Sequence, residues 1–232
     1  MTTVDGTAAT ASTTRYATVA QLKTRLGITD TTDDTVLGMI LDGVSRQIDK
    51  HCNRHFYTVT ETRYFDGKSG MQRGVDKYTE EVTEYYSKLW VDDLLVVTSI
   101  AMDSDGDGVW EDALVSTDYI LWPWNTWPKL RIDLDLRQGD YYYWVRGQQA
   151  IKIVGTWGYG DGETSTPTTY PAPVIEACLL RAAWVWKRKD AIFGVAGTSA
   201  LGIISISLPP LDNDVKLLLD PYVRRRGYIG AV

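Results

Sequence analysis

From Thr18 to Phe56 the chain reads TVAQLKTRLGITDTTDDTVLGMILDGVSRQIDKHCNRHF, a spacing of apolar residues that admits two helices and little else. Thr18 can cap the first helix, with Gln21 three residues on to complete a capping box. Val19, Leu22 and Leu26 then recur on one face. Gly27 stands where a left-handed C′ residue is wanted, and Ile28 supplies the apolar contact that follows it. The second helix opens in TDTTDD, rich in caps and in acids that suit the positive end of a helix dipole. Its apolar stripe is Val36, Leu37, Ile40, Leu41, Val44, Ile48 and Cys52, and Asp42, Arg46, Asp49, Lys50 and Asn53 face away. The spacing predicts helices near 18–26 and 32–54. Such a hairpin must bury its apolar face against something else in the chain.

The partner comes late. After the turn-rich DGETSTPTTYPAP the helical period returns, with Pro173 suited to a first turn and Ile175, Cys178, Leu179, Ala182, Ala183 and Trp186 on one face. This helix, 173–189, is apolar over most of its circumference and belongs at the centre of a helical core. Its face should meet Val36, Ile40, Val44 and Ile48. A glycine-rich loop, AIFGVAGTSALG, and a short strand, IISISL, lead to a last helix at 212–222. Asp212 can cap that helix, and Pro221 should end it.

Between the helical parts the period is that of strands. FYTVTETRYFDG is β-branched and aromatic and stops at a turn. LLVVTSIAMD and VWEDAL flank DSDGDG, a hairpin in which Gly106 and Gly108 supply the positive φ. DYILWPWNTWP ends in an irregular loop, because Pro123 and Pro128 cannot join a central ladder. LRIDLDL alternates cleanly, and YYYWV and QAIKIVGTWGYG add two more strands. The fold class expected is therefore α+β: a small helical bundle, residues 16–56 plus 170–232, with an antiparallel β domain inserted at 57–160. Residues 1–15, Thr/Ala-rich and without period, read as a disordered arm.

With 232 residues the chain can bury a sizeable core, and its apolar (44%) and charged (23%) fractions are those of a soluble globular protein. Nine Trp and fourteen Tyr against three Phe are unusual, and point to large contact surfaces between layers or subunits. The net charge of −6 disfavours generic nucleic-acid binding. From Arg181 onward eight Lys/Arg meet four Asp/Glu, net +4, leaving −10 for the rest. Cys52 and Cys178 sit on apolar helix faces as free thiols of a reducing compartment. The N-terminal MTTVDGTAATASTTR has neither the basic nor the apolar region of a secretory signal, and no apolar run approaches the ~20 residues that span a bilayer. A soluble protein that is not exported is expected.

Three groups could carry chemistry. Asp103, Asp105 and Asp107 alternate in DSDGDGVWE, with Gly108 and Glu111 at calcium-loop offsets, so Ca²⁺ is the one ion to consider. Leu114 stands where the bidentate acid belongs, and the flanks read as strands, so a turn built from Asp and Gly is the simpler reading. His51, Cys52 and His55 place two imidazoles at i and i+4, but offer no second ligand pair for zinc. Trp122, Trp124 and Trp127 could stack on a ligand or pack on a neighbouring subunit, and interfaces favour the second. Two histidines, no nucleophile elbow and no phosphate loop leave catalysis without parts, so no enzyme is expected. Asp133 and Asp135 alternate on the polar face of a strand, the usual pattern of a solvated face.

In order, AQLKTRLGITDTTDDTVLGMILDGVSRQIDKHCNRHFY, the β insertion with DSDGDGVWE and DYILWPWN, WGYG with PAPVIEACLLRAAWVWKR, and DVKLLLDPYVRRR resemble the head–tail connector (adaptor) proteins of long-tailed double-stranded DNA bacteriophages. The resemblance covers residues 16 to about 228 and rests on the order and spacing of these pieces. It implies a structural virion protein of the neck, made in the host cytoplasm and assembled as a homo-oligomeric ring of twelve copies. It further implies a portal protein on one side, a stopper or tail-completion protein on the other, no cofactor, no membrane, and DNA passing through the lumen without specific contacts. The basic C-terminal segment suits the portal, through Leu217, Leu218, Tyr222, Arg224, Arg225, Arg226 and Tyr228. Two other classes compete: a sugar- or receptor-binding virion module using the Trp-rich β domain, and a hydrolase acting through Asp133 and Asp135.

Overall fold

Thr18 caps the first helix as its sequence predicts, its hydroxyl accepting from the Gln21 amide while the Gln21 side chain returns to the Thr18 amide. The computed structural model describes residues 14–67, 87–159, 164–188, 198–199, 202–203 and 212–224. Helix α1 (Val19–Leu26) ends at Gly27, whose φ of 72° is the left-handed conformation a side chain resists. Helix α2 (Asp34–Cys52) starts with Asp34 at its positive end, and Lys23 of α1 reaches that carboxylate at 2.8 Å. Helix α3 (Ala172–Lys187) and a short α4 (Asn213–Leu219) complete the set, with a 3₁₀ turn at Asp220–Tyr222 carrying Pro221. The four helices stand within one compact unit, residues 1–54 and 170–232.

Helix α3 is central to that unit: α1, α2 and α4 all pack on it. It buries Val174, Ala177, Cys178, Leu179 and Ala182, and α2 buries Leu37, Leu41, Val44, Ile48 and Cys52 against it. Ser45 Oγ lies 3.8 Å from Cys178 Sγ at this seam and donates to the Leu41 carbonyl. The expected stripe is rotated slightly. Val36 is exposed and Ile40, Ile175 and Trp186 are half-buried, because Gly38 and Ser45 take inward positions that hydropathy alone gives to larger residues. Tyr16 and Ala17, just before α1, are buried, and Arg15 pairs with Asp42 of α2.

The second unit, residues 55–169, is a six-stranded antiparallel sheet. Its strands are β1 (Val59–Gly67), β2 (Lys88–Met102), β3 (Asp112–Leu114), β4 (Tyr119–Trp122), β5 (Lys129–Leu134) and β6 (Gly147–Trp157). The order is β1-β6-β2-β5-β4, with β3 beside β2. The long strand β2 pairs with β5 through its first half and with β6 through its second, and register shifts at Trp90–Leu94, Leu94–Val96 and Val97–Ser99 accommodate the change. One face of the sheet carries the core, which includes Leu89, Val91, Ile100, Ile132, Leu134, Ile151, Ile153 and Trp157. Gly155 of β6 admits no side chain, since a Cβ there would lie 2.5 Å from the Val96 carbonyl oxygen.

The mixed α+β class follows from the sequence periods, but one expected strand does not form. YYYWV is irregular at 141–145: Trp144 turns inward, and its indole nitrogen donates to the Ser87 carbonyl at 2.9 Å. Most of IISISL lies outside the described residues. Two-residue strands β7 (Thr198–Ser199) and β8 (Gly202–Ile203) pair where it begins, at Ile203. Among the described residues no helix is long and apolar enough to cross a membrane.

Candidate interaction surfaces

On the solvent side of β5, strand alternation presents Lys129, Arg131 and Asp133. Register places Trp90 of β2 and Trp122 of β4 directly opposite Arg131, so the three form one cross-strand row. The guanidinium carbon lies 5.3 Å from the Trp90 ring centre and 5.2 Å from that of Trp122. Arg131 Nε and Nη2 donate to the two carboxylate oxygens of Asp133 at 2.7 and 2.8 Å. The pair is therefore electrically closed and its geometry fixed. The indole of Trp124, 60% exposed, tilts against Trp122 at 5.4 Å.

The loop that carries Trp124 is held from below. Lys129 is only 4% exposed; its ammonium donates to the carbonyls of Pro123 and Trp124 at 2.6 and 2.7 Å and lies 4.1 Å from the Trp127 ring centre. Burial pulls the Lys129 pKa below its ordinary value. Peptide bonds Trp122–Pro123 and Trp127–Pro128 are cis. Trp122 and Trp124 thus fall on one surface as the sequence suggests, while Trp127 is spent as an inner wall for the lysine. Trp90 and Arg131, which complete the surface, escape sequence reading because only the strand register brings them together.

At the β2–β3 hairpin, Gly106 and Gly108 take φ of 79° and 88°, the conformations DSDGDG predicts. Asp103 is buried, and its two carboxylate oxygens accept from the amides of Gly106 and Gly108 at 2.7 and 2.9 Å. Asp105 and Asp107 accept in turn from the amides of Asp107 and Val109. The carboxylates of Asp103, Asp105 and Asp107 converge within 4.8 Å, whereas Glu111 is exposed and outside the group. Backbone amides already hold Asp103, so its part here is that of a turn anchor. His55 belongs to the β unit, its Nδ1 at 2.9 Å from the Tyr57 carbonyl, and Cys52 is fully buried; no three-ligand group includes either among the described residues. Asp133 is spent on Arg131, and Asp135 accepts from the Arg137 amide at 2.9 Å.

In the helical unit, α4 sends Val215 and Leu219 inward and leaves Leu217 69% exposed. Leu218, Tyr222 and Arg224 are half-buried, and the Arg224 amide donates to the Cys52 carbonyl at 2.8 Å. Arg225, Arg226 and Tyr228 lie outside the described residues. Arg181 of α3 is a feature sequence reading misses: it is 6% exposed, and its Nε and Nη1 have no hydrogen-bond partner among the described residues. Burial lowers its pKa, Asp212 opposes that shift and Arg188 adds to it. Arg181 and Arg188 both approach the Trp184 ring, at 4.8 and 4.9 Å.

Residues 16–89 match the model of a family described as phage gp6-like head-tail connector protein. No curated protein matches the chain in sequence. Three solved structures share the fold. A chain from the neck of an empty gene transfer agent particle, computed with C6 symmetry, is 14% identical, with a TM-score of 0.52 and 93% of both chains covered. One from the neck of the native particle, computed with C12 symmetry, is 14% identical, with a TM-score of 0.51 and 91% of both covered. One from the virion of the native particle is 15% identical, with a TM-score of 0.54 and 96% of both covered. The resemblance to head–tail connectors read from the sequence therefore holds, and the structural likeness establishes a shared α+β fold.

Proposed function

We propose that the chain is a structural head–tail connector subunit, part of a ring in the neck of a phage-type particle, which carries the DNA channel from portal toward tail. One observation carries the reading. The capped helical hairpin falls in the segment that matches a connector family, and the whole chain follows the fold of neck chains over more than nine-tenths of both lengths. Twelve copies are proposed on the C12 symmetry of one such neck. A closed ring needs two different complementary patches on each subunit.

Charge supports passage of DNA rather than its capture. The β unit holds ten Lys/Arg and nineteen Asp/Glu, net −9, and the helical unit fourteen and eleven, net +3. An acidic surface offers few phosphate contacts to slow a sliding duplex. The basic end of the chain, with Leu217 exposed beside it in sequence, is the part proposed to meet the portal, and the opposite side would meet a stopper or tail-completion protein. No step of this role requires catalysis or a cofactor.

Purified portal rings test it directly. The full chain should bind them and form a ring countable by native mass spectrometry, and truncation after Asp214 should abolish binding. Undiminished binding by the truncated chain would move portal docking elsewhere, and failure of the full chain to bind would sink the connector role.

A further inference from the structure

We propose that Trp90, Trp122 and Trp124, arranged around Arg131, form a contact by which the β unit binds the helical unit of a second copy of this chain. The inference rests on the ring reading above and names one of its two complementary patches. Trp and Arg are the residues that most often dominate protein–protein binding energy, especially when clustered and held rigid. Here two indoles and one guanidinium share a sheet face, both indoles standing opposite Arg131 in register, and the loop indole of Trp124 packs on that of Trp122. The structure has invested in holding them. Lys129 is buried to tie down the backbone of Trp124, and Arg131 is locked by both oxygens of Asp133. Side chains ordered in advance lose little entropy on binding.

Charge selects the occupant. On a unit of net −9, the Arg131–Asp133 pair makes this surface locally neutral, so an approaching acidic protein meets no repulsion there beyond the general field. That field favours a cationic partner, and indole faces bind ammonium groups. The helical unit has the opposite net charge, +3. On it Lys50 and Lys187 are exposed and, among the described residues, engaged in no ion pair. A β unit of one copy against a helical unit of the next is heterologous, the type of contact that closes into a ring.

Sedimentation of the full chain across concentration and salt tests the contact. Self-association should weaken as salt rises. Trp90→Ala and Trp124→Ala should each raise its dissociation constant at least about tenfold, as should Lys50→Glu combined with Lys187→Glu. Tyr143→Ala, equally exposed but outside the row, should leave it unchanged, and circular dichroism should show every variant folded. Three results overturn the proposal. The tryptophan variants could associate like the wild type, or the wild type could stay monomeric to about 1 mM at low salt. The third is a saturable change in tryptophan fluorescence with oligosaccharides while association ignores the tryptophans, which would give the surface to a sugar. Portal binding is scored separately. If portal binding holds while self-association ignores the tryptophans, only this inference falls; if it fails while Trp-dependent association persists, only the connector role falls.

Discussion

Lys129 sends its ammonium into the backbone of Trp124, Nζ lying 2.7 Å from that carbonyl oxygen and 2.6 Å from the one before it. A lysine on the outward face of a strand ordinarily extends into water, and this one is covered by the loop it organises. Lys129→Met keeps most of the apolar stem and removes both charge-assisted bonds. The Pro123 and Trp124 carbonyls would then lose a charged donor, at a cost of about 1–3 kcal/mol. Urea unfolding should report that loss, and acrylamide should quench tryptophan fluorescence more in the variant. A change below about 0.5 kcal/mol, ordinary for a surface substitution, would mean the loop holds itself.

The ion pair between Arg15 and Asp42 explains a glycine in mid-helix. A Cβ on Gly38 would lie 3.1 and 3.2 Å from the two terminal nitrogens of Arg15, whose Nε and Nη2 each meet an Asp42 oxygen at 2.7 Å. Alanine should gain up to about 1 kcal/mol in helix propensity, and in the wild type that gain is offset by pushing the guanidinium aside. Gly38→Ala should therefore stabilise the Arg15→Ala variant by about 0.5–1 kcal/mol more than it stabilises the wild type. Equal effects in both backgrounds, by thermal unfolding, would show that Arg15 does not hold this position.

How far the sequence foretells these features depends on the range of the interaction. The capping box at Thr18, the left-handed Gly27, the period of α2 and α3 and the turn glycines 106 and 108 are local patterns, and each appears where its pattern puts it. Residues joined by register or tertiary approach are not local. Arg131 looks like one member of a solvated alternation until β2 and β4 place indoles on either side of it. YYYWV looks like a strand because its composition is right. Its inward Trp144 answers to Ser87, fifty-seven residues away, and propensity yields to that contact. Arg181 carries a charge that ought to face water, and only packing shows that it does not.

Both thiols make the protein sensitive to alkali. Burial pushes the Cys52 pKa up to about 12 and that of Cys178 to about 11, against 9.0 for an exposed thiol. Above pH 9 the unfolded chain loses thiol protons that the folded chain keeps. The stabilisation is thus complete below that pH and is lost as pH rises through the folded values. Stability measured by urea should fall between pH 9 and about 12, and Cys52→Ala with Cys178→Ala should flatten that slope while lowering stability at neutral pH through lost packing. At pH 8 alkylation should occur only through global unfolding, at a rate that tracks denaturant. Rapid labelling of the native chain would contradict the burial of both sulfurs.

Arg181 poses the opposite problem, a charge whose removal should cost little. Its Nε and Nη1 are buried without acceptors among the described residues, and the compensation in view is the Trp184 ring and the field of Asp212. A buried ion with so little pairing pays its desolvation almost unaided. Arg181→Met keeps most of the packing and removes the ion, so stability should fall by no more than about 1 kcal/mol and can rise. Asp212 starts α4, and its carboxylate makes no capping bond there. Its effect on stability should therefore pass largely through Arg181: Asp212→Asn should destabilise the wild type and have little effect on Arg181→Met. A loss above about 2 kcal/mol in Arg181→Met, with Asp212→Asn unchanged in both backgrounds, would show that the guanidinium is satisfied by a route other than Asp212.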